Sequence, residues 1–389
     1  MLAKFRVLVF VHYYLPGYKA GGPLRTIANM ADHLAEEVEF LIVTSDRDLG
    51  DSGPYVNVNL NTWVSVGEAQ VFYCTPERQT IASFTKLINE TPHDLLYLNS
   101  FFDSVFTVRP LYARTLGRFQ KKPTLLAPRG EFSKGALKLK RIKKNIYIWG
   151  AKIFGLCNKI LWHASSEYEA EDIKRFFSIP DDKVFIALDL PAKVAEVRYE
   201  KIKWEKESAL KLIFLSRISA KKNLDFALRL LSKVACEVIF HIYGPKEDLG
   251  YWANCEALIE ALPENVNVKY CGIVIPDDVG QTFAAYDLFL FPTLGENYGH
   301  VIAEAISVGT PVLLSDQTPW RNLKPDGLGW DLPLEHEQEF VNIIEECASQ
   351  SQEQKNKTRA HIQCQARKRL VDADVIKANR QLFHRAVNQ

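Results

Sequence analysis

The segment Phe291 to Asp316, FPTLGENYGHVIAEAISVGTPVLLSD, limits the folds open to this chain more than any other stretch. A buried strand ends near Pro292 and a loop follows. The apolar residues Val301, Ile302, Ala305 and Ile306 then recur with helical spacing, and Pro311 to Leu314 is strand-like again. Such a βαβ unit opens its first loop at the carboxyl end of a parallel strand, where open α/β sheets bind ligands. The loop carries Glu296, Asn297, Tyr298, Gly299 and His300 just ahead of Val301. Gly299 falls near the helix start, where N–H groups and the positive end of the helix dipole suit a phosphate, and its missing side chain admits a ligand closely. Glu296 stands in the loop and Glu304 inside the helix, a spacing that lets the two carboxylates touch different parts of one ligand rather than share a metal. Taken alone, the same spacing also describes a capped helix with one exposed glutamate.

At 389 residues the chain is longer than one core usually supports, so two domains are expected. With 48 basic against 47 acidic residues the net charge is +1, which argues against a nucleic-acid protein unless the charge is clustered. Cys74, Cys157, Cys236, Cys255, Cys271, Cys347 and Cys364 are odd in number and lack any C-x-x-C, which points to a reduced compartment. Lys4 and Arg6 lead into a short apolar run, Val7 to Val11, that soon meets His12 and Pro16, so no signal peptide is expected. No stretch reaches the roughly 20 apolar residues of a membrane span, and a cytoplasmic location is expected.

Phe5 to Tyr13 reads as a strand whose centre is continuously apolar, as when both faces of a parallel sheet are covered. A loop ending in Gly21-Gly22-Pro23 precedes a helical pattern from Leu24 to Leu34 and a second strand, Val38 to Thr44. These glycines do not follow G-x-G-x-x-G, so a dinucleotide site is not supported. Gly21 and Gly22 form either a tight turn or a surface for close approach of a phosphate or sugar. Asp94 to Leu98 is a further strand, ending at Asn99, and Thr124 to Ala127 another, leading to Arg129. Arg129 contacts either a hydroxyl-rich ligand or a surface acid. Ile160 to Ser166 is a strand holding His163, read as a hydrogen-bonded core histidine or as a residue near the site. Ile179 to Lys203, with Pro180 and Pro191, is the expected linker. Asp46-Arg47-Asp48 and Asp372-Ala373-Asp374 have a metal-binding spacing but no further ligands beside them; they read as a solvated loop and a helix start, and no metal site is expected.

From Lys134 to Lys159 basic residues interleave with Leu137, Ile142, Ile146, Trp149, Ile153 and Phe154, and no acid interrupts them. That is the form of an interfacial helix at an anionic membrane, or of a core helix with a basic outer side. No nucleic-acid motif accompanies it, and no nucleic-acid partner is expected.

In the second half, strands are expected at Leu210 to Leu215, Val238 to Tyr243, Val266 to Cys271, Leu288 to Pro292 and Pro311 to Leu314. Arg217 and Lys222 lie on the loop after the first of these, where two cations can clamp a diphosphate, Arg by its fork and Lys as a point charge. Gly244 and Gly272-Ile273 follow strands at the same sheet edge.

Arg217 with Lys222, and Glu296 with Glu304 flanking Gly299 ahead of Gly309-Thr310-Pro311, resemble the donor site of the retaining glycosyltransferases of family 4 (glycosyl transferases group 1). The resemblance implies the GT-B fold, an α/β architecture of two Rossmann-like domains with parallel sheets facing a central cleft. Residues 1–190 would bind the acceptor, 191–370 the nucleotide sugar, and 371–389 would form a helix packing back on the first domain. It further implies transfer from a UDP- or GDP-linked sugar to a hydroxyl, with retention and with neither an obligatory metal nor another cofactor. Arg217, Lys222 and the Gly299 helix start would hold the leaving diphosphate, Glu296 the sugar hydroxyls and Glu304 the ribose. Gly21, Gly22, Gly244, Ile273, Asn297, Tyr298, His300 and Val301 would line the donor. Many members carry a His where this chain has Asn99; an amide donates a hydrogen bond but is no base, which leaves the acceptor proton to the donor phosphate. The implied acceptor is a saccharide, often polyprenyl-linked, near Arg129 and His163, with residues 134–159 against the inner face of the cell membrane. A sugar-nucleotide epimerase of similar fold and a non-catalytic nucleotide-sugar or membrane-binding module are the rival readings.

Overall fold

The computed structural model describes residues 4–133, 136–137, 141–192, 208–370 and 373–388. Its chain divides into two units, Met1–Lys193 with Ala373–Gln389, and Val194–Asp372. In the first unit eight strands, β1 (Phe5–Phe10), β2 (Val38–Ser45), β3 (Trp63–Val66), β4 (Ala69–Cys74), β5 (Leu95–Asn99), β6 (Thr124–Ala127), β7 (Leu161–Ala164) and β8 (Val184–Ile186), form one sheet. Their order is β3-β4-β2-β1-β5-β6-β7-β8. All neighbours are parallel except β3, which returns antiparallel along β4. Helices α1 (Gly22–Leu34), α2 (Ile81–Glu90), α3 (Val108–Thr115), α4 (Arg141–Ile153) and α5 (Glu167–Phe176) connect them.

The continuous apolar run of β1 follows from this layering. Leu8 and Phe10 point into a core with Leu96, Leu98, Phe84 and Phe106, while Val7 and Val9 point the other way, into a core with Ile27, Phe40 and Tyr97.

The second unit is a six-stranded parallel sheet. It contains β9 (Leu210–Leu215), β10 (Val238–Tyr243), β11 (Val266–Gly272), β12 (Leu288–Phe291), β13 (Val312–Ser315) and β14 (Gly329–Leu332), in the order β11-β10-β9-β12-β13-β14. Helices α6 (Leu224–Leu231), α7 (Leu249–Glu260), α8 (Val279–Ala284), α9 (His300–Ser307), α10 (Glu337–Ser349) and α11 (Gln352–Leu370) accompany it. The last helix, α12 (Ala373–Val387), belongs to the first unit, where Leu382, Phe383 and Ala386 enter the core beside Val7 and Phe40.

Several expectations change. The hairpin β3–β4 and the strand β14 were not read from the sequence. The expected linker begins too early, because Val184–Ile186 pairs in parallel with β7; its residues 193–203 lie outside the described residues, as do Lys134, Lys138, Lys140 and Asp372 of the basic segment and the second acidic triplet. The first acidic triplet is not a solvated loop: Asp46 and Asp48 are buried. Asp46 pairs with Arg47, and Asp48 accepts the amides of Tyr18 and Lys19 at 2.7 and 3.0 Å, which anchors the loop leading to Gly21.

Candidate functional site

In the second unit the chain runs from β9 outward through β10 to β11, then returns to lay β12 on the other side of β9. The loops after β9 and β12 therefore diverge from adjacent strands, and open α/β sheets form their ligand crevice at such a switch point. Asn223, in left-handed geometry with φ 59°, caps α6 and donates through Nδ2 to the Pro292 carbonyl at 2.8 Å. Leu294 N donates to the Lys221 carbonyl at 2.9 Å, and Thr293 Oγ1 lies 3.1 Å from the same oxygen. These bonds fasten one loop to the other.

The consequence is a direct pair. Lys222 Nζ lies 2.5 Å from Glu296 Oε1, with the two side chains only 10% and 11% exposed. Thr293 Oγ1 donates to the same carboxylate oxygen at 3.1 Å, and the ammonium sits 5.5 Å from the centre of the Phe291 ring. Burial by itself would raise the Glu296 pKa, but the charges of Lys222 and Lys221 with the Lys222 and Thr293 hydrogen bonds outweigh it and hold the carboxyl below its usual range. For Lys222, burial pulls the pKa down and Glu296 opposes it.

Arg217 stands apart from this pair, at the rim, donating to Glu247 Oε1 at 3.0 Å with both side chains about one-third exposed. Gly244, at φ 132°, is explained by packing: a Cβ there would lie 1.9 Å from the Ser216 carbonyl oxygen. Gly299 has φ 82° and starts α9 with no side-chain cap. The Tyr298 ring packs tilted against His300, centroids 4.8 Å apart at 58°, and Trp320 Nε1 donates to the Tyr298 carbonyl at 2.6 Å. Asn297, Val301 and Glu304 are half-buried, Glu304 one turn along the helix from His300. Ile273 is exposed beyond Gly272.

The first unit rearranges the roles expected there. Asn99 is buried at the end of β5, its Oδ1 accepting from Arg129 Nε and Nη2 at 3.1 and 2.8 Å and its Nδ2 facing the Phe10 carbonyl. Arg129 also donates to Asp189 at 2.8 Å and to Tyr97 Oη at 2.7 Å, with a side chain 3% exposed. His163 is fully buried between Tyr97 Oη at 2.6 Å and the Ala187 carbonyl at 2.9 Å. Burial and then the Arg129 charge push it down to about 4. These three residues form an internal network and do not present a polar atom to an acceptor, which corrects the catalytic reading of Asn99 and the acceptor reading of Arg129 and His163.

What the sequence reading passed over is His12, just past β1, and Asp103, in the loop after β5. The switch point of this sheet lies between β1 and β5, and it brings the two within 2.7 Å. A histidine closing an apolar strand was the available signal.

Two Rossmann-like domains of parallel sheet, the second with a charged crevice at its switch point, define the GT-B fold. Residues 209–350 match the family model described as glycosyl transferases group 1. A curated relative, described as an uncharacterized 41.2 kDa protein in the cps region of Klebsiella pneumoniae, is 24% identical over 336 residues, 80% of this chain and 88% of that protein. Among solved structures, Anabaena HepE in complex with UDP-glucose superposes with a TM-score of 0.67 at 17% identity, over 99% of this chain and 100% of the other. WaaG, a glycosyltransferase involved in lipopolysaccharide biosynthesis, superposes with a TM-score of 0.64 at 16% identity, over 97% and 98% of the two chains.

Proposed function

We propose that this chain is a retaining, metal-independent glycosyltransferase that moves a hexosyl group from a UDP- or GDP-linked sugar to a hydroxyl of a polyprenyl-linked saccharide, in assembly of a cell-surface polysaccharide. The observation that carries the reading is the Lys222–Glu296 pair at the switch point of the domain that matches glycosyl transferases group 1. A diphosphate entering there meets the Lys222 ammonium, and Arg217 turns to it from Glu247, to which an exposed pair binds it only weakly. Both cations act where charge grows as the diphosphate leaves. Glu296, kept ionised, accepts from sugar hydroxyls, and Glu304 from the ribose. The UDP-glucose bound by HepE and the cps location of the Klebsiella relative support the donor class and the pathway.

The acceptor's lipid anchor is supported by α4. Ile142, Ile146, Trp149 and Ile153 recur along one side of the helix and all are exposed, Ile142 at 76% and Trp149 at 66%, while Ile148 and Ala151 on the other side are buried. Exposed Lys143 and Lys152 flank the stripe. An apolar ridge between lysines suits the headgroup boundary of an anionic bilayer. No helix among the described residues is long and apolar enough to cross a membrane.

Saturation-transfer NMR against UDP, GDP and ADP sugars, without and then with magnesium, tests the donor site. One nucleotide sugar binding selectively without metal is the expected result; a folded sample that binds none refutes it. The anomeric coupling constant of the product tests retention.

A further inference from the structure

We propose that Trp320 is a positioning residue of the donor site: by holding the Tyr298 carbonyl, its indole N–H fixes the direction of the Gly299 N–H, which meets the diphosphate. The proposal rests on the donor-site reading and adds a residue that serves it through the backbone. Every residue involved belongs to the second unit.

The loop after β13 braces the loop after β12 at two points. Glu296 N donates to the Gln317 carbonyl at 3.2 Å, and Trp320 Nε1 donates to the Tyr298 carbonyl at 2.6 Å. The peptide between Tyr298 and Gly299 is trans, so its N–H points opposite to its C=O. With the carbonyl turned to Trp320, the Gly299 N–H is turned away from it. Among the described residues nothing accepts that N–H, although Gly299 is buried. A buried N–H in this state costs free energy until an acceptor reaches it, and a diphosphate oxygen is such an acceptor.

Glycine makes the brace necessary. With no Cβ at residue 299, the preceding peptide can turn over at little steric cost. It would then offer the phosphate a carbonyl oxygen in place of an N–H. The indole nitrogen donates and never accepts, so its bond selects one of the two orientations. Trp320 is itself held. It is 5% exposed, its backbone N–H donates to Thr318 Oγ1 at 3.2 Å, and the Tyr298 ring packs tilted against it with centroids 5.6 Å apart. The Arg369 guanidinium lies 5.3 Å from its ring centre, fixed by Asp326 at 2.6 Å and the Arg321 carbonyl at 3.1 Å. A donor oriented in advance needs no reorganisation when charge grows on the leaving diphosphate.

Protein carrying carbonyl-13C tyrosine and 15N glycine shows only Tyr–Gly peptides in a carbonyl-correlated amide spectrum. The sequence has two, Tyr243–Gly244 and Tyr298–Gly299. Tyr298→Phe deletes the second signal and so assigns it, while Gly244 N, bonded to the Gly272 carbonyl at 2.7 Å, reports that a variant is folded. Trp320→Phe keeps a ring and removes the N–H. It should move the Tyr298 carbonyl upfield and weaken UDP or GDP, whichever the wild type binds, by about 5- to 10-fold, with uridine or guanosine binding unchanged. In the wild type the same diphosphate should move the Gly299 proton downfield. An unmoved Tyr298 carbonyl or undiminished diphosphate affinity in Trp320→Phe overturns the proposal. So does an equal loss of nucleoside and diphosphate, the mark of a purely structural role. If Trp320→Phe does not fold, the wild type decides alone: a Gly299 proton that the bound diphosphate leaves unmoved overturns the proposal. A wild type that binds neither diphosphate, while Trp320→Phe still shifts the Tyr298 carbonyl, overturns the donor reading and the role built on it, and leaves the Trp320–Tyr298 bond standing.

Discussion

Lys222 and Glu296 meet at 2.5 Å from loops that follow β9 and β12, strands made neighbours by the order of the sheet. Removing one partner of so buried a pair leaves the other charge uncompensated, which destabilises typical proteins by about 3 kcal/mol. Glu296→Ala is expected to lose about that much in urea unfolding, and Lys222→Met/Glu296→Leu to recover most of it. The Glu296 pKa is depressed from 4.5 in the folded state. Its stabilisation is therefore complete above the unfolded value and is lost as pH falls through the folded one. Acid titration of wild type against the double variant checks the sign.

Glu131 gives the opposite slope. Burial, reinforced by the Asp103 charge and opposed by the Phe102 amide and Lys144, pushes it from 4.5 up to about 7. Between these values the unfolded chain has released a proton that the folded one keeps, so stability falls as pH rises, by roughly 1–3 kcal/mol. Glu131→Gln keeps an acceptor for the Phe102 amide and should flatten that slope, measured as unfolding midpoint against pH.

Two glycines separate packing from function. Gly244→Ala forces a Cβ against the Ser216 carbonyl and should cost roughly 2 kcal/mol or more of stability. At Gly22 a Cβ meets nothing within 4 Å. Gly22→Ala should unfold like the wild type, so any loss of donor or acceptor affinity in that variant would report a ligand approaching the backbone there.

The stripe on α4 should be dispensable for folding. Ile146→Ser/Trp149→Ser alters exposed positions and is expected to shift stability by no more than about 0.5 kcal/mol per site. Flotation with phosphatidylglycerol vesicles should fall several-fold, while binding of a soluble nucleotide sugar is unchanged. Full retention of vesicle binding would refute the membrane assignment.

The two-domain α/β fold was legible because parallel strands covered on both faces are written as apolar runs, as in Val7 to Val11 and Leu288 to Phe291. The hairpin of Trp63–Val66 and Ala69–Cys74 was not, since its short edge strand is half-exposed and carries no sustained alternation. Val184–Ile186 was hidden by Pro180 and nearby charges that resemble a linker. Within the site, local sequence carried Gly299 and the run into α9. It could not carry what Lys222 touches, nor the meeting of His12 with Asp103, because both depend on which strands lie side by side. Asn99 was read from its place at a strand end; its burial depends on Arg129, which comes from another strand's loop.

The placement of α12 also bears on the order in which the chain is made. Phe383, whose ring meets those of Phe40 and Tyr97 at 5.7 Å, completes a core whose other walls lie before residue 191. During synthesis the first unit emerges early yet lacks this piece until the whole second unit has followed it. The second unit, continuous in sequence, can close on its own. The part of the protein that is translated first therefore cannot complete its core until the last helix has been made.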